Sequence, residues 1–524
     1  MERQPLNDMF VNNNISRRLM LKLGGAGLLG AGLVACGSPS TATSGSPTRG
    51  GTLQMAQVAD IIPSGLFGQD FPNTSYGRLV LNTLTRYSPT LQPMPELATS
   101  WQMSTDQTTL TLQLRPDVKF HSGRPFGPAD VIASIQNMQN PARASQMAST
   151  AKTIVDMSPS GANAVTLKLA HPISNLFDLF EMMFIIDQES LPELLAGTTV
   201  VGTGPFTWKS RTPGSSLTLA RNPSYWVSGS PYLDGVMLRI IPQAQSLLSA
   251  LQATQTQLAI GLAPKDFVSL RNNPAYTTTV FDTNDAVYYV GCNTTVPPFD
   301  NQMVRQAVAW SVDRDTILNE VFNKIGSSTS IPWAPSSPAY SKAAATHYTY
   351  DLAKAKTLLQ QSGAGNMNAQ IAYNSGLPAS QAMAQIVQYS LTQVGINTTP
   401  VAFDAATYIS KLAAGKLPGL FVNVHGFGQL QPATLVQSAF PFNAARNAEN
   451  LSNPTYTQLA NTAWTSTSKN DLTTAYQQLT NFMLDQQFVI DSVISPNTVV
   501  TASKFKDFSY NRFDYLDFDH AYLG

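Results

Sequence analysis

Residues 107–138 combine two periods of hydrophobicity within one short stretch, which restricts the fold more than any other part of the sequence. Leucines alternate with polar residues from Leu110 onward, and this pattern predicts a half-buried strand. A turn and a loop follow, after which Pro128 and Asp130 suit the first turn of a helix with apolar residues at helical spacing. The stretch therefore predicts a strand, a loop and a helix in succession, and indicates an α/β chain.

The same stretch carries a specific motif, LQLRPDVKFHSGRPFGPADVIASI, at residues 112–135. It resembles the signature of the family 5 extracellular solute-binding proteins, which are the dipeptide, oligopeptide and nickel binding components of ABC importers. The chain departs from that signature at Asp117, where the family usually has Gly, and at Ser122, where it usually has Asp.

Four further blocks resemble the same family and extend the likeness along the chain. They are PELATSW at residues 95–101, GTGPF at 202–206, RNPSYW at 221–226, and a segment that includes Arg305, Gln306, Ala307, Asp313 and Arg314. Elsewhere the sequence pattern predicts short helices at residues 79–86, at residues 351–363 between a capping Asp351 and a terminating Gly363, and at residues 472–483.

The resemblance implies an α/β, two-lobed periplasmic-binding-protein-like fold of class II, the large peptide-binding type, with a hinge that the chain crosses twice. Lobe I would comprise residues 51–283 and 493–524, with an additional subdomain, and lobe II residues 284–492. The crossings would lie near residues 281–287 and 490–496. A cleft between two hinged lobes is a common place for a small ligand.

The first fifty residues read as an export signal and a tether. Residues 1–35 resemble a twin-arginine signal peptide, with Arg17 and Arg18 before an apolar segment that is too short to span a bilayer. Cys36 ends a segment that looks like a bacterial lipobox, so we expect a lipidated cysteine followed by a flexible Ser/Thr/Gly/Pro tether to residue 50. The expected location is extracytoplasmic, on the periplasmic face or the cell surface, with Cys36 anchored in the cell membrane. The alternative is an uncleaved anchor in which the cysteine is incidental.

Charge and cysteine content exclude several classes of function. Charged residues make up 12% of the chain, about half the ~25% usual for soluble domains, and the formal net charge is zero without a basic run, so we expect no nucleic-acid partner. Two cysteines and five scattered histidines offer no zinc spacing and no disulfide framework. The sequence accordingly predicts no metal site. Nothing in it demands a cofactor, so we expect none, and we expect a monomer with Cys292 as a buried small hydrophobe.

The segment NVHGFGQLQP at residues 423–432 is the expected ligand-facing part of lobe II. In peptide-binding relatives, an acidic residue of this stretch pairs with the amino terminus of the ligand. Here no carboxylate occurs between Asp404 and Glu449, and a buried ammonium without a charged partner costs several kcal/mol. We therefore expect a ligand that lacks a free amino terminus bound in that mode, unless Asp70 or Asp285 supplies the acid from elsewhere.

The expected ligand contacts are aromatic rings and neutral hydrogen-bonding groups, namely Gln429, Phe427, His425, Trp333 and Asn423. Such a set suits a capped peptide, an opine or a sugar-like compound, and His425 leaves nickel or haem as an alternative. The competing interpretation of each residue is structural packing.

The leading hypothesis for function is a lipoprotein that captures a peptide, opine or sugar-like solute and delivers it to an ABC permease. Two alternatives stay open: a receptor subunit of the same fold that senses the ligand, and a secreted hydrolase. The sequence contains no G-x-S-x-G and no H-E-x-x-H motif, so we expect no enzyme and assign no catalytic residue.

Overall fold

The computed structural model describes residues 47–69, 71–283 and 286–524. Its strands are β1 Thr52–Gln57, β2 Thr85–Tyr87, β3 Pro93–Pro95, β4 Ala98–Met103, β5 Thr109–Leu114, β6 Ile154–Pro159, β7 Ala164–Leu169, β8 Phe206–Thr212, β9 Ser216–Arg221, β10 Gly235–Ile240, β11 Leu258–Ile260, β12 Tyr276–Val280, β13 Ala286–Cys292, β14 Ser327–Ser328, β15 Met367–Asn374, β16 Ile396–Phe403, β17 Leu420–His425, β18 Val489–Ser495, β19 Thr498–Ala502, β20 Phe505–Lys506, β21 Ser509–Tyr510, β22 Leu516–Asp517 and β23 Tyr522–Leu523. Its helices are α1 Gly77–Val80, α2 Pro128–Gln139, α3 Ala148–Lys152, α4 Leu176–Met182, α5 Leu191–Leu195, α6 Ala244–Gln252, α7 Pro264–Leu270, α8 Gln302–Ser311, α9 Arg314–Thr316, α10 Lys342–Ala345, α11 Leu352–Gln361, α12 Pro378–Thr392, α13 Ala405–Ala413, α14 Pro432–Ser438, α15 Pro454–Thr465 and α16 Lys469–Gln486.

The first large sheet has seven strands in the order β12-β19-β11-β1-β10-β9-β8. Strand β1 lies parallel to both β10 and β11, so Met55 pairs with Leu238 on one side and Leu258 on the other. Because a central parallel strand is covered on both faces, β1 is buried along most of its length. Strand β19 comes from the far end of the chain and inserts antiparallel between β11 and β12.

The second large sheet has six strands in the order β14-β18-β13-β17-β15-β16. Strand β13 is antiparallel to both β17 and β18, whereas β15 is parallel to β16 and β17. Helix α12 packs on this parallel part, with its apolar side chains Met383, Val387 and Leu391 fully buried. The sheet therefore forms the centre of a second α/β unit.

The chain passes between the two large sheets twice, once between Val280 and Ala286 and once between Ser495 and Thr498. The two crossings lie side by side, since the amide of Phe281 donates to the carbonyl of Asn497 at 2.9 Å. Two adjacent crossings can act as a hinge, because few backbone torsions need to change for the sheets to move relative to each other. The predicted lobe boundaries at 283/284 and 492/493 stay predictions.

The motif-bearing stretch forms a smaller four-stranded sheet, β4-β5-β7-β6, covered by α2. The alternating leucines of β5 are buried, and α2 begins at Pro128 as the pattern predicts. The carboxylate of Asp130 accepts the Gly127 amide at 3.1 Å and so caps the exposed donors of the first turn.

Three of the sequence blocks meet at one turn. The amide of His121 donates to the carbonyl of Gly202 at 2.8 Å, and its Nε2 lies 3.0 Å from the carbonyl of Gly204. The side-chain amide of Asn222 donates to the same Gly204 carbonyl at 3.0 Å. Burial lowers the pKa of His121 to about 4, so the imidazole is neutral and serves this contact at physiological pH. The blocks are therefore parts of one packed junction.

The predicted helix at residues 79–86 is wrong, because α1 ends at Val80 and β2 begins at Thr85. The intervening Asn82 and Thr83 donate to the buried carboxylate of Glu96 instead of continuing the helix. Burial works against ionisation of Glu96, but the guanidinium groups of Arg78 and Arg86 and these hydrogen bonds hold its pKa at about 2. Hydrogen bonds to this buried carboxylate thus override the local helical pattern.

Two other predicted helices are confirmed. The carboxylate of Asp351 accepts the amide of Lys354 at 2.9 Å at the start of α11, and α16 covers the apolar stripe predicted at residues 472–483. Among the residues that the structure describes, no helix has both the length and the apolar character needed to span a bilayer.

We predict that Gly202→Ala will destabilise the junction, because a Cβ atom at this position would lie 2.1 Å from the carbonyl oxygen of Val80. The backbone must move to relieve this contact, so we expect the free energy of unfolding to fall by about 1–3 kcal/mol in urea denaturation. Gly365→Ala is the matched control, since nothing lies within 4 Å of its added Cβ. Equal stability of the two variants would contradict the close packing described here.

Candidate functional site

The predicted contact residues lie at the end of β17 and in the turn that follows. Asn423 and His425 belong to the strand, which is central in the second sheet, and Phe427 and Gln429 belong to the turn before α14. The side-chain amide of Asn423 donates to the hydroxyl of Tyr289 on the neighbouring strand at 3.2 Å. The turn therefore follows directly from the end of an inner strand of this sheet.

His425 is held inside the second unit by several contacts. Its Nε2 lies 2.9 Å from the carboxylate of Asp491, and both side chains are almost fully buried. Its Nδ1 lies 3.2 Å from the carbonyl of Gly426, and its ring contacts those of Tyr289 and Phe442. Both ring nitrogens therefore have partners within the protein.

The turn at Phe427 and Gln429 contacts the C-terminal segment. Phe427 has a φ of 71°, and its ring meets that of Phe513 edge-on, with centroids 6.2 Å apart. The side-chain amide of Gln429 donates to the carbonyl of Arg512 at 3.2 Å. Two of the predicted residues thus border a segment that the sequence did not single out.

Trp333 lies in a loop that packs against the same turn. The carbonyl of Gly428 accepts the amide of Ala334 at 2.9 Å, and an added Cβ at Gly428 would collide with the carbonyl of Pro332. The indole of Trp333 is fully buried and donates to the hydroxyl of Thr480 at 2.8 Å. The structure therefore places Trp333 behind the turn, against α16.

A cavity of about 210 Å³ lies where the two sheets meet, at the chain crossings. The ends of β1 and β11, both crossings and the C-terminal segment contribute to its wall, including Gln57, Leu262, Phe281, Asn497 and Asp514. The carboxyl ends of parallel strands are a usual place for ligands in α/β folds. The cavity therefore lies at a position that is typical of ligand sites in α/β folds.

Asp514 joins the elements around this cavity. Its carboxylate accepts hydrogen bonds from the hydroxyl of Thr283 in the first crossing and from the side-chain amide of Asn497 in the second. The ring of Phe281 stacks on that of Tyr510, with centroids 3.9 Å apart. Asp514 and Leu516 line the cavity, whereas Arg512 and Phe513 of the same segment contact the 427–429 turn. The segment therefore connects the predicted residues to the cavity.

The cavity residues were missed because no local motif identifies them. Phe281, Asn497 and Asp514 lie in three separate segments, and only the fold brings them together. Asp70 and Asp285, the two acids considered as alternative partners for an amino terminus, lie outside the described residues, as does Cys36.

The second unit also buries two acidic residues, Glu449 and Asp491. Burial raises the pKa of Glu449 well above its usual range, and the nearby Asp491 charge raises it further. Burial likewise raises the pKa of Asp491, although the hydrogen bond to His425 opposes this shift.

Burial raises the pKa of the Cys292 thiol to about 12, so this side chain is a neutral thiol rather than a nucleophile. Among the described residues, no group of three or more His, Cys, Asp and Glu side chains is arranged to hold a metal ion.

Comparison with known proteins gives one family and a consistent fold. The model of bacterial extracellular solute-binding proteins, family 5, matches residues 92–444. The di/tripeptide-binding protein 2 of Pseudomonas aeruginosa is 28% identical over 375 residues, which cover 64% of this chain and 68% of that protein. The matched regions span 61 to 68% of the length of the first curated relatives.

Two solved structures have the same architecture. The binding protein AgaA in complex with agropinic acid, from A. tumefacien R10, has a TM-score of 0.78 at 21% identity and covers 90% of this chain and 99% of its own. DppA from Helicobacter pylori in complex with the peptide STSA has a TM-score of 0.78 at 20% identity, with coverages of 91% and 98%. At these identities the likeness concerns the fold, and it confirms the predicted two-lobed architecture with a doubly crossed hinge.

We predict that Glu449→Gln will stabilise the protein at neutral pH but not at pH 4. Because burial raises the pKa of the folded carboxyl above that of the unfolded chain, which ionises above about pH 4.3, the contribution of Glu449 to stability is lost as pH rises above that value. The advantage of the variant should grow by up to about 1.4 kcal/mol per pH unit, measured by urea denaturation between pH 4 and 7. The exposed Glu193→Gln is the control, and an advantage that does not change with pH would contradict the prediction.

Proposed function

Since the chain belongs to the family 5 bacterial extracellular solute-binding proteins, we propose that it captures a small solute outside the cytoplasm and delivers it to an ABC permease. The observation that carries this proposal is the cavity at the double crossing, because closure of two lobes there can enclose a ligand and opening can release it. The bound solute leaves chemically unchanged in this proposal, since binding and release require no reacting group.

The ligand that fits this proposal is compact. The cavity of about 210 Å³ is smaller than the roughly 300–1,000 Å³ common for sites of drug-sized ligands. A dipeptide derivative, an opine or a sugar-like compound suits this size, whereas a long peptide requires a more open cleft. The agropinic acid bound by AgaA and the short peptides of other relatives support these classes.

The proposed ligand contacts are the residues that the sequence indicated, together with the cavity wall. Phe427 and Gln429 are the strongest candidates, because they border the segment that also lines the cavity. Asn423, His425 and Trp333 hold the turn through their contacts within lobe II, and they would reach a ligand only after a rearrangement of those contacts. No residue is proposed as catalytic and no cofactor is proposed.

The proposed location is the outer face of a membrane, where a lipidated Cys36 anchors the protein. Two or more acyl chains hold a protein firmly on a bilayer, whereas one chain binds only marginally. The polar tether up to residue 50 would let a monomeric body move relative to its anchor and reach the permease. Lobe I would then comprise residues 51–283 and 493–524, and lobe II residues 284–492.

The experiment that tests the proposal is mass spectrometry of solutes that co-purify with the protein, followed by incubation with the identified solute. Recovery of a bound small molecule that is unchanged after incubation supports the proposal. A cleaved or otherwise converted solute would overturn it in favour of an enzyme.

We predict that N-acetylated dipeptides will bind at least as tightly as the free dipeptides in calorimetric titration. The segment between Asp404 and Glu449 supplies no carboxylate, and an unpaired ammonium in a closed cleft costs several kcal/mol. A tenfold preference for the free amine, equivalent to about 1.4 kcal/mol, would contradict the prediction.

We predict that Cys36→Ala will move the protein from the membrane fraction to the soluble fraction of the cell envelope. The change removes the thiol that would carry the acyl chains, whereas Cys292→Ala alters a buried thiol and serves as the matched control. Fractionation followed by immunoblotting measures the distribution. Persistent membrane association of Cys36→Ala would show that another element anchors the chain.

A further inference from the structure

The 427–429 turn already joins the lobes through Arg512 and Phe513. A further contact between the lobes lies away from the crossings and is formed by residues 171–178, named here the latch segment. The amide and the hydroxyl of Ser174 donate to the carbonyls of Trp464 and Ala463, both at 2.8 Å. The ring of His171 meets the Trp464 indole edge-on, with centroids 5.2 Å apart. The latch segment precedes and begins α4, whereas its partners belong to α15 in the other lobe.

Asn175 uses all of its polar atoms in this contact. Its amide nitrogen donates to the hydroxyls of Thr434 and Thr150, both at 2.9 Å, and its oxygen accepts the indole N–H of Trp464 at 3.0 Å. The side chain is fully buried, so opening of the lobes would expose it and break two of its three hydrogen bonds.

Asp178 is the acidic group of the contact, and it is also fully buried. Its carboxylate accepts the amide of Gln431 at 3.2 Å and the hydroxyl of Thr434 from lobe II, and the hydroxyl of Tyr87 from lobe I at 2.7 Å. None of these donors is a cation. Burial therefore raises the pKa of Asp178 to about 7, although the three hydrogen bonds oppose the shift.

Opening the lobes would remove the donors of lobe II and admit water to this carboxylate. An exposed aspartate has a pKa near 3.9, so closing the lobes takes up a proton between about pH 4 and 7. The closed state is favoured fully below that interval, and its advantage is lost as pH rises toward 7.

We propose that the latch segment holds the lobes closed and that Asp178 makes this closure depend on pH. The proposal rests on the proposed function, since it concerns the motion that would capture and release the solute. The uptake of one proton on closing sets the size of this pH dependence. The equilibrium constant for closing should fall by up to tenfold for each pH unit between about 4 and 7, and then level off.

Other titratable groups near Asp178 do not explain such a slope. Burial raises the pKa of Tyr87 and of Tyr476, so both hydroxyls stay neutral over this interval. Glu181, one turn further along α4, is buried with a pKa raised to about 7, but it accepts the Tyr87 amide and the side-chain amide of Asn511, which both belong to lobe I. Both of these hydrogen-bond partners therefore stay with Glu181 when the lobes open. His171 lies at the other end of the latch segment and is retained in every variant below.

The test measures closure directly in the ligand-free full chain by energy transfer between dyes on the two lobes. Val155→Cys and Ile409→Cys provide the labelling sites, since each side chain is 59% exposed. Cys36→Ala removes the cysteine of the N-terminal segment, and the remaining Cys292 is buried. The closed fraction is recorded from pH 5 to 8.

Asp178→Asn is expected to stay closed and to lose the tenfold slope, because its amide imitates the protonated acid. Glu181→Gln is the matched control and is expected to keep the slope of the unsubstituted protein. Asn175→Ala is expected to lower the closed fraction at every pH while keeping the slope. Circular dichroism verifies that each variant folds.

An unsubstituted protein without a slope between pH 5 and 7, or an Asp178→Asn variant that keeps it, would overturn the proposal. If Asp178→Asn does not fold, the Asn175→Ala variant tests the proposal instead. A closed fraction of Asn175→Ala equal to that of the unsubstituted protein would show that the latch segment does not hold the lobes closed. The measurement needs no solute, so its outcome is independent of whether a ligand is found and delivered.

Discussion

The adjacent placement of the two crossings is the constraint on which the rest of the molecule depends, and Asp514 is the group that maintains it. Its carboxylate binds Thr283 of one crossing and Asn497 of the other, while Phe281 and Asn497 share a backbone hydrogen bond. Loss of either hydrogen bond would leave a buried carboxylate oxygen with one donor fewer, which costs free energy. These hydrogen bonds therefore hold the two crossings together at the wall of the cavity.

The buried acids of the chain show how surroundings set the role of a carboxyl group. Glu96 lies between two arginines, stays ionised and joins residues 78–96 within lobe I. Asp178 meets only neutral donors, so its charge responds to the removal of water when the lobes meet. The first arrangement builds a rigid body, whereas the second makes a contact between bodies sensitive to the solution.

The sequence predicted those parts of the structure that local patterns determine. The strand and helix of residues 107–138 and the cap at Asp351 are as expected, because their stabilising contacts lie within a few residues. The helix at residues 79–86 failed because Glu96 competes for its polar groups. At the candidate site, the pattern indicated Phe427 and Gln429 but not Asp514, and it could not show that His425 pairs with Asp491, a partner 66 residues away. Composition and spacing do not encode such distant contacts, which only the folded chain creates.

Strand β19 fills a gap in the middle of the first sheet, between β11 and β12, although more than two hundred residues separate it from both. During synthesis, the N-terminal half must therefore leave the ribosome with two strand edges that lack their neighbour. Such pairings of high contact order form slowly, and open edges invite association with other chains. The sheet of lobe I can be completed only after lobe II has been synthesised, because β19 follows lobe II in the chain. The two lobes therefore complete their folding together rather than in the order of translation.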